Sequence, residues 1–275
     1  DSPNLEETLA ASESRLDWYA DFAEEESVDG PSFLGCADTN KNPEAIADRT
    51  REVLGLAADT FLQGPDKVKT LCATLENSGI LVSRNSIVES NTTRPLSIDE
   101  FRGFTLIQAS YALIFINTRD SKTAQLFSLS HELGHVVLGQ PGISDHGESR
   151  DIERWCNRFA ASFLAPAQVV LSTVSPSDSS FESVKTLSRK SGMSQEAALW
   201  RLVHLNVIDR SEASTLLPLV SSQPVQATDS SSNKGGPARH RVVKARVGNR
   251  FFDAVTYAAV AGKIPQKEAC LLYTS

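Results

Sequence analysis

The pentapeptide His131-Glu132-Leu133-Gly134-His135 constrains this chain more than any other feature. It lies in the run LFSLSHELGHVVL, residues 126–138, which reads as a helix capped by Asp120 or Ser121 and stopped by Gly139. Four residues advance a helix by about 6 Å and about 40° past a full turn, so both imidazoles leave one face and can converge on one ion. Glu132 projects about 100° around the same helix, where its carboxylate reaches a water without binding the metal. Apart from Glu132 the run holds no charged residue. Burying two imidazoles and a carboxylate there without partners would cost several kcal/mol, which a bound metal offsets.

A catalytic zinc takes three protein ligands and one water, so a third ligand is expected downstream. The candidates are His146, Glu148, Asp151 and Glu153. The first two lie in the loop PGISDHGES, whereas Glu153 opens the helical run ERWCNRFAASFL and is held by a rigid element. Glu153 is therefore favoured. Asn157, one turn further along that face, is placed to accept an imidazole N–H and fix a tautomer. Cys156 is close enough to ligate as well, although a buried thiol is the commoner state of such a residue.

Around this segment the pattern alternates helices and short strands. Helices are expected over 3–27, 42–56, 66–77, 120–138 and 151–164, and strands over 80–83, 104–107 and 112–116. Residues 180–191, 194–205 and 211–216 follow as short helices, the first two joined at Gly192 like a helix-turn-helix unit or an ordinary helical pair. The predicted organisation is an acidic helical arm over 1–41, a metallopeptidase-like domain over 42–175 and a helical unit over 176–220. A polar Ser-, Pro- and Gly-containing linker over 221–239 and a small segment over 240–275 complete it. The expected class is α+β.

Composition sets outer limits. A net charge of −7 over 275 residues argues against a basic surface that wraps nucleic acid. One local exception is residues 234–250, with Lys234, Arg239, Arg241, Lys244, Arg246 and Arg250 and no acid. That segment is read as a solvated tail, with contact to nucleic acid, or docking on the acidic residues 1–29, as alternatives. No run approaches the roughly 18–20 apolar residues of a membrane span, and the acidic, Ser-rich start lacks the basic and apolar regions expected of a secretory signal. The four scattered cysteines read as free thiols, so a cytoplasmic protein is expected. The chain begins at Asp1 and its one methionine is Met193, which suggests a processed, engineered or truncated product.

The runs FRGFTL (101–106), ALIFINTRDSKTAQLFSLSHELGHVVLG (112–139) and ERWCNRFAASFLAP (153–166) together resemble the ImmA/IrrE family of bacterial and phage metallopeptidases. The likeness lies in the order of the segments as well as their residues, and extends more weakly over about 15–217. It implies a zincin-like α+β domain with one Zn2+ held by His131, His135 and Glu153, and Glu132 as general base. It also implies a helix-turn-helix transcriptional repressor as protein substrate, whose cleavage derepresses stress, phage or mobile-element genes. Gly103, Phe104 and Thr105 are expected to offer a strand edge to an extended peptide. For the oxyanion stabiliser, His146, Tyr111 and His204 remain open candidates.

Overall fold

The structure is a computed structural model that describes residues 2–143, 150–175, 177–221 and 239–274. Among these residues the order is α1 (Pro3–Glu25), α2 (Pro43–Val53), α3 (Lys67–Asn77), β1 (Leu81–Asn85), β2 (Ile87–Val88), β3 (Asn91–Pro95), β4 (Gly103–Gln108), β5 (Tyr111–Asn117) and α4 (Lys122–Leu138). Then come β6 (Gly142–Ile143), α5 (Arg150–Leu164), α6 (Ala167–Thr173), α7 (Ser180–Ser191), α8 (Gln195–His204), α9 (Arg210–Ser221), α10 (Arg239–Val247), α11 (Asn249–Val260) and α12 (Gln266–Thr274). The class is α+β, as the sequence predicts.

Four strands form one sheet in the order β1-β5-β4-β6, with β1 parallel to β5 and the other neighbours antiparallel. Its centre is β5, YALIFIN, buried along its whole length. Period-two alternation divides its side chains between two cores. Ala112, Ile114 and Ile116 meet α3, α4 and α5, while Tyr111, Leu113 and Phe115 meet α1 and α11 on the opposite face. The same parity on β4 turns Phe104 into the second core, stacked on Phe115 at 4.9 Å, and Thr105 toward α4.

Helix boundaries follow local chemistry. Ser121 Oγ accepts from the Ala124 N–H at 3.2 Å to start α4, and Gly139, at φ 64°, ends it in the left-handed conformation. Asn42 and Pro43 open α2 as cap and first residue. The expected short helices appear as α7, α8 and α9, the last longer than predicted and running through Pro218. The β2–β3 hairpin, α6 and β6 were not anticipated.

The two ends of the chain meet on the outer face of the sheet. Leu5, Leu16, Tyr19 and Ala23 of α1 share a core with Phe251 and Val255 of α11. Arg250 Nε donates to Tyr19 Oη at 2.6 Å, and Lys263 pairs with Glu26 of the acidic N-terminal run. Of the basic stretch, Lys244 pairs with Asp253 at 2.7 Å and Arg246 donates to Ser90 Oγ at 3.0 Å. Lys234 and residues 222–238 of the expected linker lie outside the described residues. No described helix is long and apolar enough to cross a membrane.

Candidate metal centre

The helices α4 and α5 lie against each other because Gly134 has no side chain. A Cβ there would come within 3.1 Å of Cys156 Sγ and 3.3 Å of its Cα. This close approach brings Glu153, at the start of α5, opposite the two histidines of α4. His131 Nε2 and His135 Nε2 are 3.2 Å apart, and Glu153 sets one carboxylate oxygen 3.3 Å from each. The three residues form a group whose donor atoms lie within 4.8 Å of one another. Separations near 3.3 Å are those of ligands placed tetrahedrally about an ion at about 2.0 Å, so the donor set fits a metal in both chemistry and size.

The other proposed third ligands are not part of this group. Asp151 is exposed on α5, with Arg154 at 3.8 Å, and His146 and Glu148 lie outside the described residues. Asn157 Oδ1 accepts from His131 Nδ1 at 3.1 Å, which leaves the Nε2 lone pair directed at the cluster. Cys156 is fully buried and hydrogen-bonded to the His135 ring, and burial pushes its thiol pKa up. Burial opposes a charge on His135, but its hydrogen bonds to Cys156 and Glu153 and the nearby Glu132 outweigh it and raise His135 to about 11. A proton and a metal ion therefore compete for the same donor atoms.

Glu132 is fully buried and faces the sheet. Thr105 Oγ1 donates to Glu132 Oε2 at 2.8 Å and also lies 3.1 Å from the Glu132 carbonyl oxygen. The other carboxylate oxygen fits because Gly103 lacks a side chain: a Cβ there would stand 3.1 Å from Glu132 Oε1. This changes the expectation for Gly103, Phe104 and Thr105. The β4 edge is not open at Phe104 and Thr105, which pair with Ile143 and Gly142 of β6. Gly103 and Thr105 instead surround the Glu132 carboxylate, and the Phe104 ring belongs to the core on the far face. The β6 pairing was missed because two residues carry too little pattern to read as a strand.

The space beside the cluster opens elsewhere. A cleft of about 850 Å³ runs from His131, Glu153 and Asn157 between α4, α5 and α8, with Phe127, Trp200 and His204 in its walls. Of the candidate oxyanion stabilisers, His204 lines this cleft, its Nδ1 2.9 Å from the Trp200 carbonyl oxygen and its pKa lowered by burial. Tyr111 does not: its hydroxyl donates to the Val28 carbonyl at 2.9 Å, among the side chains of the second core. Nothing in the sequence signalled that α8 would line this cleft.

Comparison with known proteins agrees with this architecture. Residues 75–203 match the family model Peptidase_M78, described as the IrrE N-terminal-like domain. No curated protein matches the chain. The matched segment begins in α3, includes the whole four-stranded sheet, α4 and α5, and ends within α8. Over residues 75–203, therefore, this chain is similar to the Peptidase_M78 family of metallopeptidases.

Proposed function

We propose that this protein is a zinc-dependent endopeptidase acting on another protein, with a helix-turn-helix repressor as the substrate class that the family resemblance implies. The observation that carries the reading is the convergence of His131, His135 and Glu153 beside the buried Glu132. Two imidazole nitrogens and a carboxylate suit zinc among divalent metals. Such a metal, when bound, polarises a peptide carbonyl and lowers the pKa of a water from 15.7 to about 7.

The remaining chemistry falls to the chain's own side chains. Glu132, held by Thr105, accepts the proton of the attacking water and returns it to the leaving amine. Asn157 holds the His131 ring in the tautomer that presents Nε2. The cleft along α4 and α5 receives the peptide and brings its carbonyl to the cluster. Cleavage of a repressor would release stress, phage or mobile-element genes from repression.

The test begins with elemental analysis of the full chain beside Glu153→Ala, then incubation of wild type and Glu132→Gln with candidate repressors. We expect about one zinc per wild-type chain, a marked loss in Glu153→Ala, and cleavage by wild type that disappears in Glu132→Gln with its zinc retained. Absence of zinc from wild type supplied with it at neutral pH would overturn the assignment. Regulatory output unchanged by Glu132→Gln would transfer the chain to a non-catalytic, metal-binding regulator.

A further inference from the structure

We infer that α8 forms one wall of a side-chain subsite, through which the cleft selects a large apolar residue within about three residues of the bond that is cut. The inference rests on the reading of the cluster as a peptidase centre.

Ala124, Phe127, Ser128 and His131 share one face of α4, and Glu153, Asn157 and Ala161 share one face of α5. The two faces form a trough that leads away from the cluster. The seven helical steps from His131 back to Ala124 span about 10 Å. An extended peptide advances about 3.3–3.6 Å per residue, so the trough accommodates about three residues on one side of the scissile bond. At 850 Å³ the cleft is of the size that takes small ligands, and suits a short extended segment better than a folded domain.

The lining determines what the subsite prefers. Phe127 and Trp200 provide aromatic surface, and Ala124, Ala161 and Ala197, one from each helix, leave space between them. Trp200 is 39% exposed although its neighbours Ala198, Leu199 and Leu202 are fully buried. A tryptophan left partly in water on the inner wall of a cleft is a surface suited to an apolar partner. Two of the nearby arginines are already engaged: Arg201 donates to Glu44 at 2.7 Å and to the Ala165 carbonyl at 2.9 Å, and Arg102 lies 3.4 Å from Asp120. The pair α7–α8, which resembles a helix-turn-helix unit in sequence, thus contributes part of its second helix to the wall of the cleft that His131 and Glu153 also line.

The test uses the full zinc-loaded chain carrying Glu132→Gln, so that bound peptide survives. Hexapeptides blocked at both ends, with one position varied among glycine, aspartate, lysine, leucine and phenylalanine, are titrated by calorimetry. We expect the leucine and phenylalanine peptides to bind on the order of tenfold more tightly than the rest. Adding Trp200→Ala should remove most of that preference, and adding Ala197→Trp should exclude the phenylalanine peptide, with zinc content unchanged in both. Equal affinity for all the peptides, selection of the aspartate peptide, or an apolar preference untouched by both substitutions would overturn the inference. Apolar-selective binding without cleavage by wild type would leave the subsite standing and remove the peptidase reading. Cleavage without selectivity would do the reverse.

Discussion

Replacing Thr105 with valine keeps the shape of the side chain and removes one hydroxyl. That hydroxyl donates to a carboxylate with no exposure to solvent, at 2.8 Å. A hydrogen bond to a charged group contributes about 1.5–3 kcal/mol net, and a buried acceptor deprived of its donor bears the full desolvation cost. Thr105→Val should therefore lower stability by about 1.5–3 kcal/mol at neutral pH, which for a chain of this size is a fall in Tm of about 3–12 °C. Because the hydroxyl also sets the direction of the carboxylate, kcat on a cleavable peptide should drop on the order of tenfold to a hundredfold. Zinc content should stay near that of wild type, since Thr105 contacts Glu132 and none of the three proposed ligands. The measurements are scanning calorimetry, elemental analysis and peptide cleavage on wild type, Thr105→Val and Thr105→Ser. Serine keeps the hydroxyl and should recover most of the rate. A valine variant as stable and as active as wild type, or a serine variant no better than valine, would show that the contact does not position Glu132.

Two further outcomes follow from the cluster. Asn157→Leu removes the acceptor on His131 Nδ1 and should weaken zinc binding by about 10- to 100-fold in a chelator competition, with little change in the fold because Asn157 is exposed. The metal-free site should also be sensitive to pH. His135, raised to about 11 in the metal-free protein, holds its proton through neutrality, so its contribution to stability is complete below about pH 6.5 and is lost as pH rises toward 11. Zinc binding at pH 8 should accordingly release a proton and tighten with increasing pH, as read by calorimetry in buffers of different ionisation enthalpy. Binding that releases no proton would contradict this protonation state.

Local chemistry made much of the frame legible. Ser121 and Gly139 mark the ends of α4 because a capping hydroxyl and a left-handed glycine act within one turn of chain. The four-residue spacing of His131 and His135 places both rings on one face because helical geometry is the same in every protein. The short apolar run ALIFI, rich in β-branched and aromatic residues between turn signals, showed a strand because such side chains suit a pleated, buried surface. Glu153 was preferred over Asp151 as a residue held by a rigid element, and the structure turns Asp151 to solvent while setting Glu153 against both imidazoles.

What depended on tertiary structure is whatever joins segments distant in sequence. Thr105 and Glu132 are 27 residues apart, and no local pattern indicates that β4 lies under α4 at the height of the carboxylate. The same limit led Gly103, Phe104 and Thr105 to be read as a peptide rail: their alternation defines two faces, but the pairing of their edge depends on β6, about 40 residues downstream. The acidic arm showed its amphipathic pattern in the sequence, while its partner, α11, comes from the other end of the chain. Trp200 reads as an ordinary helical aromatic until α8 packs beside α5 and exposes it to the cleft. Sequence by itself determined where α2 and α4 begin and that His131 and His135 share one helix face, since capping and backbone geometry act over a few residues. Tertiary packing alone decided how the Glu132 carboxylate is held and what lines the cleft beside the cluster, because those contacts arise only when elements far apart in the chain bury their apolar faces together.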